Sequence, residues 1–208
     1  MTAPEPVAKR STPGARPPAS GRHLVVVSGP SGAGKTTVCR AVAERLGVPI
    51  STSATTRPRR AGEVDGKDYD FIGEEEFRRR ADQGRFVEWA EVFGRLYGTP
   101  VEQLDRARDA GDVLLLEIDV QGGIQIKKKF PEALAILLLP PDPQALRSRL
   151  SKRGTEAPEE ASQRVAKAQE EVRKARQAGC YDAEVVNDRL DDAVRQVIEW
   201  VETRRKQS

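Results

Sequence analysis

The sequence predicts an α/β fold: a mainly parallel sheet flanked by helices, with a small strand-rich lobe inserted into it. Three observations predict it. Short apolar runs, "HLVVVS" (23–28), "DVLLLEIDV" (112–120) and "ALAILLLPP" (133–141), alternate with stretches of helical periodicity. Such runs suit strands buried on both faces, and strands separated by helices pair in parallel. The first run leads directly into "GPSGAGKTT" (29–37), a glycine-rich loop set between a strand and a helix. The stretch 54–97 breaks the alternation with strands and short loops, which marks it as an antiparallel insertion.

Each element has a local signal. Residues 1–21 hold five prolines and almost no large apolar side chain, the composition of a disordered tail. From Lys35 a helix reads Val38, Ala41, Val42 and Leu46 on one face, and Gly47 with Pro49 ends it. "ISTSATT" (50–56), "DYDFI" (68–72) and "RFVEWAEVF" (85–93) have strand character, with a short charged helix near 74–83. Thr99, Pro100 and Glu102 form a helix-start pattern, with threonine as cap and proline at the first helical position. Gly111 closes that helix. Asp142-Pro143 opens another, 159–178 reads as a long polar helix closed by Gly179, and "AEVVN" (183–187) is a short strand. The last helix carries Val194, Val197, Ile198 and Val201 on one face.

Composition excludes several function classes. The net charge of +3 sits wholly in residues 1–22, where Lys9, Arg10, Arg16 and Arg22 face Glu5 alone. The remainder is neutral, so no global basic bias points to nucleic acid. His23 is the sole histidine, and Cys39 and Cys180 lack metal-ligand spacing, which argues against a zinc site and against Ser-His-Asp chemistry. The two cysteines are expected as reduced thiols. No apolar run reaches the ~18 residues of a membrane span, and no apolar signal core opens the chain, so the expected location is cytoplasmic.

The loop carries the phosphate-binding pattern GxxxxGK[ST] in Gly29, Gly34, Lys35 and Thr36, and Pro30, Ser31, Gly32, Ala33 and Thr37 complete its backbone. Glycines let backbone N–H groups curl around phosphate oxygens, and the helix N-terminus adds partial positive charge. Lys35 is placed to bridge the β- and γ-phosphates of a triphosphate, and Thr36 to offer a hydroxyl to Mg²⁺. Asp119, at the end of "LLLEID", is the expected acidic partner of that Mg²⁺ through water, and Glu117 lies two residues earlier on the same strand face. A second phosphate site is signalled by Arg57, Arg59 and Arg60 beside Ser53, Thr55, Thr56 and Tyr69, since guanidinium forks grip phosphate bidentately and a phenol adds a neutral donor.

In order, "GPSGAGKTT", "SATTR", "AGE", "GKDYDF", "EWA", "YGTP", "EIDVQG", "RLSKRGTE" and "VVND" make the chain resemble guanylate kinases over about residues 22–203. The resemblance implies transfer of the γ-phosphate of ATP to GMP, and to dGMP, with Mg²⁺ as cofactor. It implies a P-loop NTPase core (22–52, 98–141 and 166–203), a GMP-binding lobe (53–97) and a helical lid (142–165). It further implies that Arg57, Arg60, Tyr69 and Tyr97 grip the GMP phosphate, and that Ser53, Glu88 and Thr99, with Asp119 nearby, read the guanine. A carboxylate at 88 suits guanine independently, because N1–H and the N2 amino group are both donors and adenine has none there. Arg149 and Arg153 match the family's lid, Arg164 an arginine just beyond it, and Asn187 with Asp188 a loop near the adenine of ATP. The family's Thr-Thr-Arg-x-Pro-Arg appears here as Thr-Thr-Arg-Pro-Arg-Arg, so Arg59 is an added charge that competes with Arg60 for its role. The expected partners are ATP and GMP, with neither nucleic acid nor membrane, in a monomer or small homo-oligomer. The alternatives weighed are another nucleotide kinase on this scaffold, a peptide-binding scaffold module of the same fold, and nucleic-acid binding through the basic tail.

Overall fold

The computed structural model describes residues 21–151 and 158–206. A single 3₁₀ turn leads into β1 (Leu24–Ser28), the phosphate loop and α1 (Lys35–Leu46). The insertion follows as β2 (Ala54–Thr55), β3 (Asp70–Phe71), α2 (Glu74–Asp82), β4 (Phe86–Val92) and β5 (Arg95–Pro100). The chain returns through α3 (Val101–Ala110), β6 (Leu114–Ile118), α4 (Val120–Lys129) and β7 (Leu134–Leu139). It ends with α5 (Pro143–Ser151), α6 (Pro158–Ala178), β8 (Ala183–Val186) and α7 (Leu190–Arg205).

The core sheet runs β6-β1-β7-β8 and every pairing in it is parallel, as expected. Alternate residues of β1 feed opposite faces. Val25 and Val27 pack with Val38 and Val42 of α1 and Val194 and Val197 of α7. Leu24 and Val26 pack with Leu104 of α3 and Ile126 of α4 on the other side. The central strands are therefore buried on both faces, which is why they read as unbroken apolar runs. Among the described residues no helix is long and apolar enough to cross a membrane.

The insertion forms a second sheet, ordered β3-β2-β5-β4. It is mixed rather than antiparallel, because β2 and β3 run parallel. Its core is Phe77 of α2, fully buried and stacked on Phe86 at 4.5 Å between ring centroids. The stretch 50–56 is not one strand. Ile50 bridges to Leu115 of the core sheet, while Ala54 and Thr55 pair within the insertion. The residues between them carry the chain from one sheet to the other. The helix expected from Thr99-Pro100 starts at Val101 instead, and Thr99 lies in β5, paired with Glu88.

Two elements carry no helix or strand signal in the sequence. Gly98 and Pro100 mask β5, which the hairpin with β4 creates. Gly122 and Gly123 mask α4, since each glycine disfavours a helix by about 1 kcal/mol. Packing demands them: a Cβ on Gly123 would sit 2.6 Å from the Tyr181 hydroxyl and 2.9 Å from Ser28 Oγ.

Candidate active site

The phosphate loop joins β1 to α1 as the motif requires. Gly34 takes a φ of 91° at the start of α1, a left-handed conformation suited to glycine. Lys35 Nζ donates to the carbonyls of Gly29 at 2.7 Å and Pro30 at 3.1 Å. Burial lowers its pKa, and Glu117, Glu171 and Asp119 pull it back up. Asn187 supports the loop from behind, donating from Nδ2 to the Ala33 carbonyl at 2.8 Å. Thr37 is exposed on the outer side of α1.

Two acids follow at the end of β6, and the structure separates their roles. Thr36 donates its hydroxyl to Glu117 at 2.5 Å. Asp119 caps α4, accepting from the Gly122 N–H at 2.8 Å. Thr36, Glu117 and Asp119 all line one cleft beside the loop. Among the described residues no group of three His, Cys, Asp or Glu forms a cage for a cation. One hydroxyl with carboxylates behind it fits Mg²⁺, which keeps several waters and takes phosphate oxygens as further ligands.

The opposite wall of the cleft belongs to the insertion. Arg57 pairs with Glu63 at 2.7 Å and lies over the Tyr69 ring at 5.4 Å. Tyr69 meets Tyr97 edge-on at 6.0 Å. Burial, with Glu117 nearby, pushes the Tyr69 phenol up to about 12, so it stays a neutral donor. Arg60 lines the cleft and Arg59 does not. Ser53 and Glu88 complete this wall. A register shift between Phe86 and Glu88 leaves Phe86, Val87 and Glu88 all buried, where a regular strand alternates. It turns Glu88 into the cleft beside Thr99. Thr99 gives both its N–H, at 3.1 Å, and its hydroxyl proton, at 2.6 Å, to Glu88 Oε1. Among the described residues Oε2 receives no hydrogen bond, so it stays available to a ligand. Burial raises the Glu88 pKa to about 7; the Thr99 hydroxyl opposes that rise and Asp119 adds to it.

The expected arginines divide. Arg164 of α6 lines the cleft and donates to Ser31 Oγ at 2.8 Å. Arg149 of α5 is absent from the cleft wall and donates to the Asn187 carbonyl at 2.7 Å. Arg153 lies outside the described residues. Among the cleft residues that escaped sequence reasoning, Glu171 and Phe93 make contacts that bear on the loop and on Arg164. Glu171 of α6 accepts from the Ser31 N–H at 3.4 Å, and burial raises its pKa while Lys35 draws it back. Phe93, at the turn between β4 and β5, reaches α6. Glu171 sits seven residues after Arg164 on the same helix face, and without the fold nothing connects that face to the loop.

The cleft holds about 640 Å³ and is walled by the phosphate loop on one side and the arginine–tyrosine cluster on the other. A family model described as guanylate kinase matches residues 21–204. A guanylate kinase of Caldanaerobacter subterraneus is 47% identical over 175 residues, covering 84% of each chain. One of Gloeobacter violaceus is 46% identical over 176 residues, again covering 84% of each. The crystal structure of a guanylate kinase from Anaplasma phagocytophilum superposes with a TM-score of 0.72 at 31% identity, covering 88% of this chain and 85% of that one. With residues 21–204 matched by that model and two relatives 46–47% identical over 84% of the chain, the chain belongs to the guanylate kinase family.

Proposed function

We propose that the protein transfers the γ-phosphate of ATP to GMP or dGMP, giving ADP and the diphosphate, in purine nucleotide recycling. One observation carries this: a single cleft joins a triphosphate loop to a second cluster of anion ligands, with a buried carboxylate beside that cluster. The loop, residues 29–37, takes ATP, and Lys35 moves from the Gly29 and Pro30 carbonyls to phosphate oxygens. The lobe, 53–97, takes GMP, with Arg57, Arg60, Tyr69 and Tyr97 on its phosphate and Ser53 and Glu88 on its base.

Thr99 acts on the base through Glu88. Thr99 holds the carboxylate in place, and its own hydroxyl proton is already donated. Glu88 Oε2 accepts from the guanine donors, whereas adenine would leave a buried carboxylate unmatched.

The attacking group is a phosphate oxygen, largely ionised at neutral pH, so no strong general base is needed. This chain's residues supply positioning and charge neutralisation: Lys35 and Arg164 on the donor phosphates, and Arg57 and Arg60 on the acceptor. Mg²⁺, held by Thr36 with Glu117 and Asp119 behind its waters, would supply further neutralisation of phosphate charge.

A coupled assay of ADP release across GMP, dGMP, AMP, UMP and TMP tests the assignment. GMP and dGMP should turn over fastest, and fastest turnover on AMP would overturn the base reading. Lys35→Ala should lower ADP release by at least about 100-fold.

A further inference from the structure

We infer that Phe93 is a positioning residue for Arg164, tying the lobe that takes the acceptor to the arginine that acts at the donor loop. Val92 and Arg95 pair across a two-residue turn, Phe93-Gly94, and both turn residues have positive φ, 51° and 68°. A two-residue hairpin turn of this kind favours Asn-Gly. A phenylalanine there is strained, and among the described residues it is the one non-glycine residue with positive φ. Backbone strain of this kind persists where the side chain is held by its surroundings.

The ring shows what holds it. Phe93 is 47% exposed, so burial in a core does not explain the choice. Two cations of α6 cover it instead. Lys167 Nζ lies 3.9 Å from the ring centroid and the Arg164 guanidinium carbon lies 5.4 Å away. These residues are three apart and share one helix face. Arg164 also donates to Ser31 Oγ in the phosphate loop. Phe93, Arg164 and Ser31 line the same cleft. A continuous chain of contacts therefore runs from the tip of the acceptor lobe, through the aromatic face, to the guanidinium at the donor loop. An aromatic ring suits this job because it attracts a guanidinium without competing for the N–H donors that must reach phosphate.

The inference rests on Arg164 acting on the ATP phosphates, so the experiment separates the two claims. Phe93→Asn removes the ring but places a better residue at positive φ. It should unfold at the same or higher urea concentration than the parent. Its kcat should fall about three- to tenfold at saturating ATP and GMP, with the GMP KM within twofold of the parent. Phe93→Tyr should restore kcat. Arg164→Ala should lower kcat by about 100-fold, and adding Phe93→Asn to it should lower kcat no further. If Arg164→Ala lowers kcat while Phe93→Asn leaves it within twofold of the parent, the Phe93 role is wrong and the Arg164 role stands. An undiminished loss from Phe93→Asn in the Arg164→Ala background also overturns it. If Arg164→Ala leaves kcat unchanged, the phosphate role of Arg164 fails and the Phe93 role falls with it.

Discussion

At the scale of single residues, under the proposed function one buried carboxylate, Glu88, would set both base selectivity and pH dependence. Its pKa stands at about 7 against an ordinary 4.5, chiefly through burial. A proton bound more tightly by the folded state stabilises it below the unfolded pKa, and that stabilisation is lost as pH rises toward 7. The nucleotide-free protein should thus lose on the order of 3 kcal/mol between about pH 4.5 and 7, and Glu88→Gln should flatten this slope in urea unfolding. Guanine needs the ionised carboxylate, so the KM for GMP should rise as pH falls below about 7, toward tenfold per unit, while the KM for ATP changes less. Gly122 makes room for that carboxylate. A Cβ there would lie 2.6 Å from Glu88 Oε2 and 3.3 Å from Asp119 Oδ1. Thr99 pins Glu88 from the other side, so the side chain cannot swing clear without losing two hydrogen bonds. Gly122→Ala should raise the KM for GMP by about tenfold and narrow the preference over AMP, with a smaller rise in the KM for ATP. The residue type at 88 is legible from guanine chemistry, but the glycine that accommodates it is not. It comes from another element and reads in sequence as a helix breaker.

At the scale of elements, the inserted lobe is the weakly built part. Its strands β2 and β3 are two residues each, and one small cluster centred on Phe77 packs Ala54 of β2, Phe86 of β4 and Leu96 of β5 against α2. Phe77→Ala should destabilise by about 3–5 kcal/mol in urea unfolding, because it empties the centre of that cluster. Activity on GMP should fall with it, since Arg57, Tyr69, Glu88 and Tyr97 hang on this sheet. The core elements were legible because each carries its own signal: β1, β6 and β7 as buried runs, α1 by its apolar face and Gly47, α5 by Asp142, whose carboxylate accepts from the Ala145 N–H at 2.7 Å. The lobe was less legible. Strands two residues long have no periodicity to read, and β5 exists because β4 pairs with it.

At the scale of the whole molecule, two sheets share one cleft, and the chain passes between them near Ser51–Ser53 and Pro100–Val101. The described fold is anchored from Gly21, whose N–H donates to Glu132 at 2.8 Å. Removal of residues 1–20 should leave turnover on GMP within about twofold, and a larger loss in the steady-state assay would assign the basic segment a part in catalysis. The sequence by itself determined the phosphate-loop motif and the core, because such a loop is contiguous backbone and a buried strand advertises its own burial. Tertiary structure decided the partners. Thr36 meets Glu117 across 81 residues, and Arg164 meets Ser31 across 133. Thr99 turns from a helix cap into the clamp on Glu88, and a strained Phe93 meets α6. Such contacts depend on how sheets and helices stack, and separations of this length leave no local pattern in the chain.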